Sequence, residues 1–284
     1  MFEHPDWPMG AGSEAAFLPV VQSSLLTVGP SRFLYTVVDS TYRQLAAPDV
    51  PSSIAFYALE RDPDDPVATV EARYLSSGLG RGSYRAAVDL VCVGEWGAEV
   101  RFEMPDGSAV SERLRFQVHA AGSTPAIGAP APRSDSPTAT TLEAARLIST
   151  DAHPYLAAHD TSVAEAVTSG QPSLILFATP AFCQSGLCGP TVELVKSVAM
   201  EYEDRLDYVN VEPYQLQVTE NGLQPLLDAD GQLQPVAAAV DYGIHVEPYL
   251  FVVDADGDIF ARFEAIVGGD ELRAAIVDVL AEAG

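Results

Sequence analysis

Residues 120–141, "AAGSTPAIGAPAPRSDSPTATT", are rich in Ala, Pro, Ser and Thr and show no apolar period over 22 positions. Such a stretch has little to bury, so it predicts a linker and divides the chain into a domain at 14–119 and a second at 142–284. A length of 284 residues with 48% hydrophobic content leaves room for two ordinary cores.

The two sides differ in rhythm. Before the break, "RFLYTVVD", "SSIAFYAL", "ATVEARYL", "YRAAVDLVCV", "GAEVRFEM" and "RLRFQVHA" are short, often alternating runs separated by Gly, Pro, Asp and Ser. "MPDGSAV" at 104–110 offers an Asp-Gly hairpin and "GLGRGSY" at 78–84 another turn. The pattern predicts an antiparallel β-sandwich of the immunoglobulin-like kind. Cys92 stands alone in one of these runs and reads as a small buried hydrophobe.

After the break, strand and helix signals alternate. "SVAEAVTSG" (162–170) opens with a Ser162…Glu165 capping box, "SLILFAT" (173–179) is a continuous strand run, and "PTVELVKSVAMEYEDRL" (190–206) has helical spacing with Pro190 in its first turn. "DYVNVEP" (207–213) predicts a strand, "PVAAAVDYGI" (235–244) a short helix, "YLFVVDADGDIFARFE" (249–264) a hairpin turning at Asp256-Gly257, and "GGDELRAAIVDVLAEAG" (268–284) a last helix. This is an α/β order, whose functional residues are expected at the C-terminal ends of the strands.

Charge narrows the partners. Fifteen basic residues oppose 40 acidic ones, a formal net charge of −25. Positions after 142 hold 5 basic and 23 acidic residues. A phosphate backbone would be repelled, which argues against nucleic acid. Lys196 is the sole lysine. No run approaches the ~18 apolar residues of a membrane span, and "MFEHPDWPMG" shows no signal-peptide pattern.

"FATPAFCQSGLCGP" places Cys183 and Cys188 between the predicted strand and helix. On a continuous helix residues five apart lie ~8.5 Å from each other, from the ~1.5 Å rise and ~100° turn per residue. A disulfide reaches only ~7 Å between Cα atoms. If the two cysteines bridge, residues 183–188 form a loop, consistent with Gly186, Gly189 and Pro190, and the helix starts near Pro190. A redox pair, a structural staple and a metal clamp are all open to two cysteines so placed.

"YGIHVEPYLFVVDADGDIFARFEAIVGGDELRAAI" resembles the C-terminal half of a thioredoxin, and "LFATPAFC" the strand that leads to its first active-site cysteine. The likeness spans roughly residues 160–284 and implies a thioredoxin-like α/β fold. It also implies a thiol-disulfide oxidoreductase without a cofactor, in which Cys183 attacks and Cys188 resolves the mixed disulfide. Pro248 falls at the cis-proline position, so Pro248, Glu247 and Phe182 are the implied groove residues. A disulfide-containing or dithiol protein is the implied partner, and an extracytoplasmic compartment the implied location. The match departs from the family in its four-residue spacing between the cysteines, in Phe182 for Trp, and in Leu176 where a buried Asp usually stands. Setting "CGPT" (188–191) on the motif would instead make Cys188 the nucleophile.

Two alternatives share these residues. Cys-x4-Cys at a helix start also resembles one class of peroxiredoxin, but Pro180 takes the place of its Thr and no arginine stands near position 247. A copper carrier of the same fold would use Cys183, Cys188 and His245. The remaining polar groups read more plainly. "DADGD" (254–258) and "DADG" (228–231) lack the Glu of a calcium loop and are turns, and His153 and His159 are surface or loop residues. Glu212, ending the second core strand, either approaches the active-site side of the sheet or stays in solvent.

Overall fold

Each of the six short apolar runs of the first half becomes a strand, with Ala68–Ser76 and Ala109–His119 keeping one face largely in water and the Phe33–Val38 stretch buried on both faces. The computed structural model describes residues 6–8, 15, 17–104 and 106–283. The proposed domain start at Glu14 and most of "MFEHPDWPMG" lie outside the described residues. The chain separates into two units, 1–122 and 123–284.

The first unit contains β1 (Leu18–Val21), β2 (Leu26–Thr27), β3 (Gly29–Val38), β4 (Ser52–Ala58), β5 (Ala68–Ser76), β6 (Gly82–Leu90), β7 (Gly94–Glu103) and β8 (Ala109–His119). They join in the order β1-β3-β6-β5-β4-β7-β8-β2, antiparallel except for the β2–β8 pair. β5 is the corner. Its Ala68–Ala72 half pairs with β4 and its Arg73–Ser76 half with β6, so the ladder turns over on itself. Phe33 and Tyr35 of β3 thereby share one core with Phe56 of β4 and Trp96, Val100 and Phe102 of β7. The Phe33 and Phe56 rings meet edge-on at 5.1 Å, a favourable aromatic geometry. Gly107, at φ +82°, turns the β7–β8 hairpin, with the Met104 amide donating to Ser108 O. Cys92 is only partly buried and packs at the margin of this core, because it follows β6 rather than lying within it.

The second unit contains α1 (Leu142–Ile148), α2 (Val163–Ala166), β9 (Ser173–Phe177), α3 (Cys188–Ala199), β10 (Asp207–Val211), β11 (Leu216–Thr219), β12 (Gly222–Pro225), α4 (Ala237–Asp241), β13 (Tyr249–Val253), β14 (Ile259–Glu264) and α5 (Gly269–Glu282). Four strands form a sheet in the order β10-β9-β13-β14, with β10 parallel to β9 and the other pairs antiparallel. Alternation sorts the side chains. Leu174, Leu176, Leu250 and Val252 pack with Val192, Val195, Leu272 and Ile276 of α3 and α5, while Ile175, Phe177, Val209 and Phe251 pack with Val163, Ala238 and Tyr242 on the other face. β9 is therefore buried on both sides along its whole length, which is why its sequence is a continuous apolar run. β11 and β12 make a separate hairpin that the sequence pattern did not predict. Among the described residues no helix is long and apolar enough to cross a membrane.

The expected linker needs correction from Ser123 onward. Gly128 and Ala131 donate backbone hydrogen bonds to Ile259 O and Gly257 O, and Ile259 donates back to Ala129 O. The Ser134 hydroxyl reaches Asp241 at 2.6 Å, and Ala131, Ser134 and Ala139 are buried. Prolines deny this segment a regular ladder, so it carries no strand period, yet its remaining amides and hydroxyls bind it to the second unit.

Candidate active site

β9 delivers the chain to the site. The Ala178 amide extends the β9–β10 pairing by donating to Val211 O, and the loop that follows turns through Phe182 N–H to Thr179 O and Gly186 N–H to Cys183 O. Gly186, at φ +73°, takes a left-handed conformation that costs other residues dearly. Helix α3 begins at Cys188, two residues before the predicted start. Pro190 then sits third in the first turn, where its missing N–H leaves no helical bond unmade.

Cys183 and Cys188 are joined as a disulfide across a Cα–Cα distance of 6.0 Å, with residues 183–187 outside the helix. The two sulfurs differ in setting. Cys188 is fully buried in the core cluster beneath α3, whereas Cys183 is only partly buried. No side chain caps α3 at Leu187. The Cys188 amide instead donates to Cys183 Sγ at 3.3 Å, and the Ser185 hydroxyl lies 3.2 Å from the same sulfur. An otherwise unsatisfied N–H and the positive end of a twelve-residue helix thus both face Cys183.

Opposite the pair, the Glu247–Pro248 peptide bond is cis and the Glu247 carbonyl oxygen stands 4.0 Å from Cys183 Sγ. Pro248 is buried, and Phe182 is half-buried in the loop. The Glu247 side chain accepts a 3.0 Å hydrogen bond from the Tyr214 hydroxyl. Burial raises the Glu247 pKa against the lowering pull of that hydroxyl. Tyr214 is itself raised, first by burial and then by the neighbouring carboxylate.

Glu212 is the residue whose place the sequence left open. It is only 6% exposed, one step beyond β10, and its carboxylate accepts from Thr150 N and Oγ1 at 3.0 and 2.9 Å. Burial pushes its pKa up to about 7, although Thr179 and Thr150 draw it down. Thr179 is fully buried nearby, its Oγ1 without a hydrogen bond of regular geometry. A sequence signal for Glu212 existed in its position one residue past a buried parallel strand, but exposure at a strand end looks the same in one dimension.

His245 is exposed and does not join the cysteines. Among the described residues no group of three His, Cys, Asp or Glu is placed to hold a metal. His159, expected at the surface or in a loop, lies in a turn but is 2% exposed, and burial lowers its pKa. The short 3-10 turn at Leu156–Ala158 carries it inward against β10. Lys196, largely buried, is held by Asp151 at 3.1 Å and Glu193 at 2.6 Å. The turn at Asp254–Asp258 is closed by its own side chain, Asp254 Oδ1 accepting from the Asp256 and Asp258 amides.

No family model matches the chain, and no curated protein matches it. Among solved structures it is similar to the PmoD soluble domain from Methylocystis sp. ATCC 49242 (Rockwell), at 11% identity over 39% of this chain and 98% of that one, with a TM-score of 0.26. It is similar to CopC from Methylosinus trichosporium OB3b at 16% identity, covering 35% and 92% of the two chains, with a TM-score of 0.23. A candidate glycoside hydrolase from Bacteroides vulgatus ATCC 8482 is 13% identical over 92% of this chain and 39% of that one, with a TM-score of 0.27. Likenesses at these scores say nothing of fold or chemistry.

Proposed function

We propose that the second unit is a thioredoxin-like domain and that Cys183 and Cys188 make it a thiol-disulfide oxidoreductase. The observation that carries this reading is the placement of Cys183 Sγ at the N-terminus of α3, 3.3 Å from the Cys188 amide and 4.0 Å from the Glu247 carbonyl. A sulfur so placed gains thiolate character when reduced, and thiolate is the attacking form.

In the reduced protein the Cys183 thiolate attacks one sulfur of a partner's disulfide. A new S–S bond joins Cys183 to the partner, and the partner's other sulfur leaves as a thiolate that takes up a proton. The buried Cys188 loses its proton and attacks Cys183 Sγ, releasing the partner's second thiolate and closing the Cys183–Cys188 disulfide. Two electrons pass from the protein to its partner, and the reverse sequence oxidises a dithiol partner. No cofactor takes part. Pro248, Glu247 and Phe182 line the groove in which the partner backbone docks. The first unit, read as an immunoglobulin-like sandwich, serves to bind or position that partner, and an extracytoplasmic location accompanies the assignment.

A titration of the cysteine pair against glutathione, combined with stopped-flow exchange against a small disulfide, tests the assignment. The wild type is expected to exchange faster than an ordinary exposed thiol, Cys183→Ser to lose that exchange, and Cys188→Ser to accumulate the mixed disulfide. Rapid turnover of hydrogen peroxide, lost in Cys183→Ser, would move the assignment to a peroxidase. Stoichiometric Cu(I) uptake that requires both cysteines, without disulfide exchange, would move it to a copper carrier.

A further inference from the structure

Carboxylates seldom lie buried without a charged partner, yet Glu212 is 6% exposed and its carboxylate accepts hydrogen bonds from the neutral Thr150. The Thr150 hydroxyl has a single proton, which it gives to the Glu212 carboxylate at 2.9 Å. One of its two lone pairs accepts the Ala181 amide at 3.2 Å. Ala181 stands two residues before Cys183, in the exposed loop that brings that cysteine to the α3 N-terminus. Carboxyl, hydroxyl and loop amide thus form one continuous chain.

We propose that Glu212 is a positioning residue for Cys183: through the Thr150 hydroxyl and the Ala181 amide, its carboxylate fixes the loop that holds the sulfur at the α3 N-terminus, and its protonation releases that loop. The geometry supplies the mechanism. An ionised carboxylate accepts the Thr150 proton and so fixes the rotation of the hydroxyl, with a lone pair directed at Ala181. A protonated carboxyl carries its own O–H; when this donates to the hydroxyl oxygen, the Thr150 proton must turn elsewhere, and that rotation redirects the lone pair that met Ala181. The groups facing Glu212 from the surrounding elements are the Thr179 hydroxyl after β9, Tyr214 after β10, and Glu247 before β13. Glu247 disfavours ionisation and Thr179 assists it, and burial outweighs both, leaving the carboxyl to titrate at about 7.

The kinetic consequence rests on the assignment of Cys183 as the attacking thiol, but the structural coupling does not, and the two are measured separately. In the full-length protein the Thr150 and Ala181 amide resonances are followed by NMR between about pH 5 and about pH 9. Both are expected to titrate together in the wild type with a midpoint near 7, to lose that titration in Glu212→Gln, and to part company in Thr150→Val, where the carboxyl still titrates but Ala181 does not follow. An Ala181 titration that persists in Glu212→Gln, or its absence from the wild type, overturns the proposal. The rate of attack by reduced protein on dithiodipyridine is then compared over the same range. Across the Glu212 titration the wild type is expected to gain about three- to tenfold beyond its thiolate fraction, the worth of one hydrogen bond, and Glu212→Gln to lack that step. Identical profiles in the two proteins overturn the positioning role even if the amides titrate. A wild type that reacts no faster than an ordinary thiol overturns the oxidoreductase assignment instead, and the amides alone then decide whether Glu212 controls the loop.

Discussion

The two units bury polar groups for different ends. In the first, the buried polar side chains are the hydroxyls of Thr36, Ser52, Ser77 and Ser83, each tied to a near neighbour: Ser52 to the Tyr35 hydroxyl at 2.8 Å, Thr36 to Gly82 O at 3.1 Å, Ser77 to Arg81 O at 2.6 Å, and Ser83 to Gln22. These bonds offset the desolvation of groups that cannot ionise. In the second unit Asp151, His159 and Glu212 are buried as well, and Glu212 adjoins the segments that meet at Cys183. Burying an ionisable group costs stability unless something compensates it, so a buried carboxylate such as Glu212 works against the stability of the second unit. The first unit is built to hold a shape; the second gives up some stability at one end of its sheet.

The largest expected effect separates the units by chemistry. Cys183→Ser should reduce disulfide exchange to the uncatalysed rate, while Cys92→Ser, at the margin of the aromatic core, should leave it unchanged. Stopped-flow exchange with oxidised glutathione checks both, and a large loss in Cys92→Ser would break the division of labour.

Next comes packing. Phe56→Ala removes a fully buried ring at the centre of the folded-over ladder and should cost about 3–5 kcal/mol. Leu176→Ala, in the central strand of the second unit, should cost about 2–5 kcal/mol. Denaturant unfolding of each variant measures the difference. Losses under about 1 kcal/mol would mean that the site relaxes around the missing atoms.

What the sequence revealed follows the same line. Short apolar runs bounded by turn residues, several of them alternating, exposed β3 to β8, and the continuous apolar run exposed β9, because burial follows the apolar positions along each strand. β1 and β2 have four and two residues, too short for a period to register. The segment from Ser123 failed for the opposite reason, since it packs through isolated backbone bonds and single serines rather than through any repeat. At the site, the spacing of Cys183 and Cys188 was enough to require a loop. The Glu212–Thr150–Ala181 chain was not visible, as its members are separated by up to 62 positions and only the fold brings them together.

The cost of Glu212 itself can be measured through pH. Its carboxyl ionises at about 7 in the folded protein against an ordinary 4.5. Below 4.5 it is protonated in folded and unfolded chains alike and contributes no difference. As pH rises from there to about 7 the unfolded chain loses the proton first, so stability declines through that window and levels off above it. The decline should be on the order of 2–3 kcal/mol, from ~1.4 kcal/mol per pH unit. Glu212→Gln should therefore be more stable than wild type at pH 8 relative to pH 4.5, by some fraction of that amount. Urea unfolding at the two pH values tests the sign, and a variant that loses ground on going to pH 8 would show that the carboxylate is well solvated after all.

The smallest effect belongs to Glu247, although it stands beside the cis-proline. A carboxylate near a thiolate opposes it, so Glu247→Gln should favour the reduced, thiolate form of Cys183 and make the couple more oxidising. Two features keep the change small. The group 4.0 Å from Cys183 Sγ is the Glu247 carbonyl, which the substitution leaves in place, and the carboxyl is engaged by the Tyr214 hydroxyl at 3.0 Å. Burial also raises its pKa, so its charged form is disfavoured before any substitution. The glutathione equilibrium constant should move less than about threefold, within what a partly screened charge supplies. Tyr214→Phe provides the complement. Without its hydrogen bond the side chain is free to approach the sulfur, and Glu247→Gln made in that background should have a larger effect than in wild type. Equal effects in the two backgrounds would show that Tyr214 does not hold the carboxylate away from Cys183.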